Sequence, residues 1–388
     1  MNRRNFFKLT GTFTGGLLVV PDFLYSFGMQ DNLSKSDSCL VFIQLSGGND
    51  GLNTFIPFQD DLYYKLRPNI SFAKNSVITA GQGMAFHPSL KGFADILQQG
   101  DMTVLQNVGY PEPVLSHFRG QEIWQTASGS GEYLTEGWLG RFLDHHYRDH
   151  HPTGAINADS IDNLALRGIE PNSMTLTYRN NPNQKNQDSP ARLSDNPQLD
   201  FVRKIAGSMS EGSAVVQDAL KKAAPSGIAY PKSELGRNME WIAKLIKGGL
   251  NSKVYYTSHT GFDTHQNQLV VHNSKLSLLN DAVYSFYKDI KAAKKLEEVT
   301  LVIFSEFGRR VADNGTGTDH GKAAPMFVIG GGNKGKLLGG NPNLSDLDGG
   351  DLKYTIDFRS VYASLLKDKF SFNPNLIGIK NQPVTGLF

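Results

Sequence analysis

The chain has 388 residues, 39% of them hydrophobic and 20% charged, with a mean hydropathy of -0.33. That is enough for one large or two ordinary domains, and no apolar run approaches the ~20 residues of a membrane-spanning helix, so a disordered chain and a polytopic membrane protein are excluded. The formal charge of +2 is local. Arg3, Arg4 and Lys8 against Asp22 supply it, the remaining chain is neutral, and a phosphate-backbone footprint, hence a nucleic-acid partner, is not expected.

Residues 1–28 open with Asn2-Arg3-Arg4-Asn5-Phe6-Phe7-Lys8, then an apolar stretch over 9–20 diluted by Thr and Gly, then Pro21. Paired arginines, an aromatic pair, a lysine and a modest apolar core resemble a twin-arginine export signal. The alternative is an ordinary basic amphipathic helix, and the Gly and Thr residues, poor helix formers on a soluble surface, weigh against it. No Ala-x-Ala follows; Ser26-Phe27-Gly28 is the best small-residue cleavage candidate, and a retained signal would act as a membrane anchor. The expected partner is the twin-arginine export machinery, and the expected location is the periplasm or the cell exterior. Cys39, the single cysteine, permits no intrachain disulfide and no Cys-based metal or iron–sulfur site. Its setting at the head of an apolar run reads as a small core residue rather than a nucleophile.

The run 40–45 is continuously apolar apart from Gln44 and ends in Ser46-Gly47-Gly48-Asn49-Asp50-Gly51. That pattern suits a strand buried on both faces of a parallel sheet, delivering a loop at its carboxyl end. Similar runs follow at 102–105, 253–257, 300–304 and 325–329, and helical spacing at 90–98, 191–222, 235–247 and 274–293. The alternation predicts an α/β fold with a mostly parallel central sheet flanked by helices, its ligand site beyond the strands' carboxyl ends. The polar stretch 178–197 reads as an exposed loop leading into a helical insertion, around 178–250, within a single domain spanning 29–388.

Four acid or histidine clusters fall at strand ends. Asp50 stands in the glycine loop after the first strand, where a carboxylate can reach a cation; a plain Asn-Asp-Gly turn is the other reading. Asp263 and His265 follow the 253–257 strand, an Asp-x-His pair whose oxygen and imidazole ligands suit zinc or manganese, with His259 as a third ligand or a supporting group. Glu306 follows a fully apolar strand and needs a cation there, which Arg309, Arg310 or a metal can supply. Asp319 and His320 lie between glycines just before the 325–329 strand. Ser116, where a helix begins, is either an N-cap or an activated nucleophile. A Ser-His-Asp triad through the adjacent His117 is not expected, because neighbouring side chains rarely point into a common hydrogen bond.

Together, Leu45-Ser46-Gly47-Gly48-Asn49-Asp50-Gly51-Leu52-Asn53, Ser116-His117-Phe118, Gly137-Trp138-Leu139-Gly140-Arg141, Gly261-Phe262-Asp263-Thr264-His265, Ser305-Glu306-Phe307-Gly308-Arg309 and Thr318-Asp319-His320-Gly321 resemble the exported bacterial family known as domain of unknown function 1501. That family in turn resembles the alkaline phosphatase, sulfatase and phosphomutase superfamily, a parallel-sheet fold with a two-metal site of Asp and His at strand ends. The resemblance implies a metal-dependent hydrolase or transferase acting on phosphate or sulfate esters, its substrate a small molecule or a glycan. It implies Asp50, Asp263, His265, Glu306 and His320 as metal ligands, to which the cluster before the last strand adds Asp319; the ions expected are zinc or manganese, one or two about 4 Å apart. Ser116 would be the nucleophile, with Arg309 or Asn49 steadying the ester oxygens. Three departures stand out: Phe307 replaces the usual histidine after Glu306, Asp263 and His265 are unusually close, and Ser116 lies far from Asp50. A non-catalytic exported protein that keeps the fold and binds a glycan or partner is the competing class, favoured by the first departure. A redox protein exported with its cofactor lacks a Cys cluster, a haem attachment site and a dinucleotide fingerprint.

Overall fold

The computed structural model describes residues 37–147, 149–178 and 197–388. The export signal read from residues 1–28 and nearly all of the polar stretch 178–197 lie outside the described residues. The apolar runs form one nine-stranded sheet. Its strands are β1 (Cys39–Ser46), β2 (Met102–Gly109), β3 (Ala155–Asn157), β4 (Ser173–Thr175), β5 (Val254–Thr260), β6 (Val299–Ser305), β7 (Ala324–Gly330), β8 (Leu337–Leu338) and β9 (Ile356–Asp357). The order is β8, β2, β7, β6, β1, β5, β3, β4, with β9 beside the end of β2. Every pairing is parallel except those of β7, which runs antiparallel to both β6 and β2.

Side chains alternate across a strand, so the two faces of β1 meet different layers. Val41, Ile43 and Leu45 join one apolar cluster with α1 (Lys91–Gln98), α4 (Pro197–Lys222), α5 (Glu234–Lys247) and α6 (Gln268–Ala292). On the other face the core is aromatic. Phe42 stacks on Tyr256 at 5.8 Å and meets Trp138 of α3 (Trp138–His146) edge-on at 5.9 Å. Trp124 of α2 (His117–Thr126) stacks on Phe304 of β6 at 5.1 Å, and Trp138 on Tyr362 of α7 (Phe358–Phe370) at 4.1 Å. Helices on both faces explain why β1 and β6 are continuously apolar rather than alternating. Cys39 is buried at the start of β1, and burial pushes its thiol up to about 12, which leaves it an inert core residue.

The direction of β7 positions the site. β1, β5 and β6 are parallel, so their carboxyl ends lie side by side, with Leu45 level with Ser305 and Ser46 with Thr260. β7 runs the other way, so its amino end arrives at that same edge. The segment entering β7 is stitched to the segment leaving β6 by an antiparallel bridge between Arg309 and His320 and by the Gly308 N–H to Lys322 carbonyl bond of 2.9 Å. Two glycines let the β1 loop press against these segments. Gly47 has φ +119, and a Cβ there would lie 2.4 Å from the Asp263 amide nitrogen; at Gly48, φ +67, it would lie 2.5 Å from the Phe307 ring.

Candidate metal centre

Asp263 and His265 project from the loop after β5, Glu306 from the end of β6, His320 from the segment entering β7, and His117 from the first position of α2. Each histidine is oriented by a bond to its Nδ1. That of His117 lies 2.9 Å from Glu306 Oε1, that of His265 2.9 Å from Asp319 Oδ1, and that of His320 2.8 Å from the Leu115 carbonyl oxygen. The carbonyl can only accept. Burial pushes Glu306 up, but its bonds, that from His117 foremost, hold it below the usual carboxylate range; the bond from His265 does the same for Asp319. Both are ionised acceptors, so all three rings carry their hydrogen on Nδ1.

The Nε2 atoms then present lone pairs, and they converge. Asp263 Oδ1 is 3.0 Å from His265 Nε2 and 3.3 Å from His320 Nε2, His265 Nε2 is 3.1 Å from His320 Nε2, and Asp263 Oδ2 is 3.4 Å from His117 Nε2. Two lone pairs facing each other and a third facing a carboxylate repel unless a proton or a cation lies between them. The three separations among Asp263 Oδ1, His265 Nε2 and His320 Nε2 match edges of a ligand shell, since bonds of about 2.0–2.1 Å in a tetrahedron have edges of roughly 3.3 Å, and His117 faces the other carboxylate oxygen. His117 Nε2 is buried without a hydrogen-bond partner, and His117, Asp263 and His320 form a group whose ligand atoms lie within 4.8 Å of one another. This is the carboxylate–histidine and carbonyl–histidine backing that metal ligands use. The donor set, three imidazoles and one carboxylate, suits zinc or manganese. Phe307 lies beside both the His117 and His320 rings at 4.9 Å and holds them edge to face, 4.4 Å apart.

Arg309 is the clamp beneath the cluster, its side chain fully buried. Its Nε donates to the Gly48 carbonyl at 2.7 Å, Nη1 to the Thr318 carbonyl at 2.9 Å, and Nη2 to the carbonyls of Gly47 and Phe262 and to Asp263 Oδ1. Burial raises the Asp263 carboxyl, but Arg309 outweighs it and the group sits at about 2. With its donors turned to the protein, Arg309 fixes the loops and Asp263. The oxygen-gripping part expected of it gives way to this one.

Asp50 stands apart from the cluster. It is wholly buried, its Oδ2 lies 2.6 Å from Arg67 Nη1 and accepts from Gln268 Nε2, and its Oδ1 caps the short helix Gly51–Thr54 through the Asn53 N–H at 3.3 Å. Burial raises its pKa, but the Arg67 charge and hydrogen bond bring it below the ordinary value. Asn49 is buried in a separate network with Thr54 and His272, away from any oxygen-steadying position. His259 donates its Nε2 hydrogen to the Lys275 carbonyl at 3.0 Å and is buried and neutral, its pKa pushed down by burial to about 4. Glu306 and Asp319 do not point at the convergence point themselves; they stand behind His117 and His265. Ser116 occupies the N-cap position of α2 but makes no capping bond, and it is exposed between Leu115 and His117.

His117 is a site residue that its own neighbourhood in the chain does not mark, since beside Ser116 it suggests only a base. The signal that points to it is Glu306, a strand-end carboxylate in need of a partner, which it finds in a histidine 189 positions away.

Solved structures similar to this chain include the phosphonate monoester hydrolase SpPMH from Silicibacter pomeroyi (8% identity, 89% of this chain and 76% of that one, TM-score 0.42). Others are Ps i-CgsB (8% identity, 89% and 74%, TM-score 0.41) and the PsFucS1 sulfatase from Pseudoalteromonas sp. (9% identity, 95% and 75%, TM-score 0.40). Among curated proteins no sequence matches. The family model described as protein of unknown function (DUF1501) matches residues 78–349, a stretch that takes in Ser116, His117, Asp263, His265, Glu306, Arg309 and His320. The chain therefore belongs to the DUF1501 family, as its motifs suggested.

Proposed function

We propose that this protein is a metal-dependent hydrolase or transferase acting on phosphate or sulfate esters of small molecules or glycans. The observation that carries the reading is the convergence of the His117, His265 and His320 Nε2 atoms on Asp263 with every Nδ1 hydrogen committed elsewhere. Zinc or manganese held by these four residues would polarise the ester and lower the pKa of the attacking hydroxyl. Ser116 is the nucleophile in this reading, because its hydroxyl is exposed, makes no capping bond and stands between the residue that holds His320 and a ligand. Glu306 and Asp319 position His117 and His265, and Arg309 positions Asp263.

The test is turnover of 4-nitrophenyl phosphate and 4-nitrophenyl sulfate by the purified chain. Hydrolysis should vanish in chelator, return with Zn2+ or Mn2+, and be lost in Ser116→Ala. Undiminished hydrolysis in excess chelator would sink the reading.

A second reading is favoured by the commitment of the Arg309 donors to the protein and by the burial of Asn49, which keep both from steadying ester oxygens. In it the protein is a non-catalytic binding protein that keeps the cation and the fold, and Ser116→Ala leaves its ligand affinity unchanged. Under either reading we place the protein in the periplasm or outside the cell, delivered by the twin-arginine machinery on the strength of Arg3-Arg4, and on the membrane only where the signal is retained. Arg3→Lys with Arg4→Lys should hold it in the cytoplasm; unchanged export would remove this part.

A further inference from the structure

A two-ion centre needs a second set of ligands about 4 Å from the first ion, with carboxylate oxygens free to bind it. Among the described residues, the other two carboxylates at these strand ends, Asp50 and Glu306, are already matched. Asp50 has both oxygens bonded, and its neighbour Arg67 is itself wholly buried and fixed on every side: Nε to the Val311 carbonyl at 2.8 Å, Nη1 to Asn53 Oδ1 at 3.0 Å as well as to Asp50, Nη2 to the Arg310 carbonyl at 2.7 Å. Glu306 accepts from the Gly47 N–H at 2.8 Å and from His117 through Oε1, and its Oε2 lies 3.1 Å from Ser305 Oγ. The position after it is Phe307, which has no donor atom. The Oδ1 oxygen of Asp263 that faces His265 and His320 also accepts from the Arg309 guanidinium, whose Nη1 lies 3.5 Å from His265 Nε2, and that charge repels a second cation beside it.

We propose that the site takes a single divalent ion per chain, and that the buried guanidinium groups of Arg67 and Arg309 supply the positive charge that a second ion would otherwise bring to Asp50 and Asp263. The inference rests on the metal-dependent reading above and sharpens it. An arginine suits this substitution because its charge is permanent and its planar fork can satisfy a carboxylate and several carbonyls at once. It also fixes what an incoming ester meets: one exchangeable cation, with the rest of the positive charge locked below the surface.

The experiment uses the full chain, stripped with chelator and titrated with Zn2+ alone and with Mn2+ alone. Bound metal is counted by elemental analysis after gel filtration, and the Mn2+ form is examined by electron paramagnetic resonance. We expect saturation at one equivalent, an isolated Mn2+ spectrum without exchange coupling, and loss of the ion in His320→Ala. The double variant Asp50→Asn with Arg67→Met, which exchanges the buried ion pair for neutral groups, should still bind one equivalent. Two equivalents, or an exchange-coupled Mn2+ pair, in the unmodified chain overturns this inference and leaves the hydrolase reading standing. No bound metal overturns both. One equivalent with no ester turned over leaves the inference intact and counts against the hydrolase reading alone.

Discussion

Asp50 and Asp263 are both aspartates in glycine-containing loops at the carboxyl ends of neighbouring parallel strands, yet they have opposite fates. Asp50 has a fully buried side chain and is locked to an arginine; Asp263 is 46% exposed and faces three imidazole nitrogens. Both carry a buried guanidinium, so what separates them is the rest of the shell. Asp50 is closed off by Gln268 and the Asn53 N–H, while Asp263 also faces imidazoles whose Nδ1 hydrogens are already bonded, a need that an exchangeable cation would meet. One region is therefore a structural ion pair and the other a site.

Mutation should separate the two regions cleanly. The largest effect is expected from Asp263→Ala and His320→Ala. Each removes a ligand from the convergence point, and metal affinity measured by competition with a chromophoric chelator should fall by more than the roughly 100-fold upper limit for second-layer changes. The fold should persist in His320→Ala, which is partly exposed, whereas Asp263→Ala also takes the carboxylate from buried Arg309 and should lose some stability, with the carbonyl partners of Arg309 remaining. Asp50→Ala should do the reverse. It strands a buried Arg67, at a cost of about 3–5 kcal/mol in a denaturant titration, while the folded fraction still binds metal. Metal loss in folded Asp50→Ala, with stability intact, would break the comparison.

A smaller effect is expected from Glu306→Gln, which keeps an acceptor for the His117 Nδ1 hydrogen but removes the charge. Metal affinity should drop about 10- to 100-fold. The same bond to Glu306 raises the His117 pKa above 6.5 against the opposing effect of burial. A protonated imidazole cannot be a ligand, so metal affinity should weaken as pH falls through that raised value, by up to about tenfold per pH unit for each proton displaced. In Glu306→Gln the onset should move to lower pH. The least effect is expected of Asp319→Asn: Asp319 is exposed and its hold on His265 is screened, so a change in affinity of a few-fold at most is the outcome to check.

Much of the architecture was legible in the chain because it depends on short-range pattern. Continuous apolar runs such as 40–45 and 300–304 can only be buried on both faces, and the loops that follow them must carry the polar chemistry. Asp263, His265 and His320 were legible for that reason, and so was the requirement that Glu306 have a partner. Its identity was not. His117, Leu115 and Asp319 act through bonds that span 189, 205 and 54 positions, and nothing in local spacing selects one such pairing over another.

Pattern along the chain is enough to set the layered α/β architecture, the edge at which ionisable residues collect and membership of the family. Which carboxylate stays open depends on the folded arrangement. The fold decides it by reversing β7, which carries His320 to the carboxyl edge of its neighbours, and by seating Arg67 on Asp50 and Arg309 under Asp263. Burial and pattern are summed over neighbours along the chain, whereas the match of a charge to its partner exists only between atoms a few ångströms apart in space.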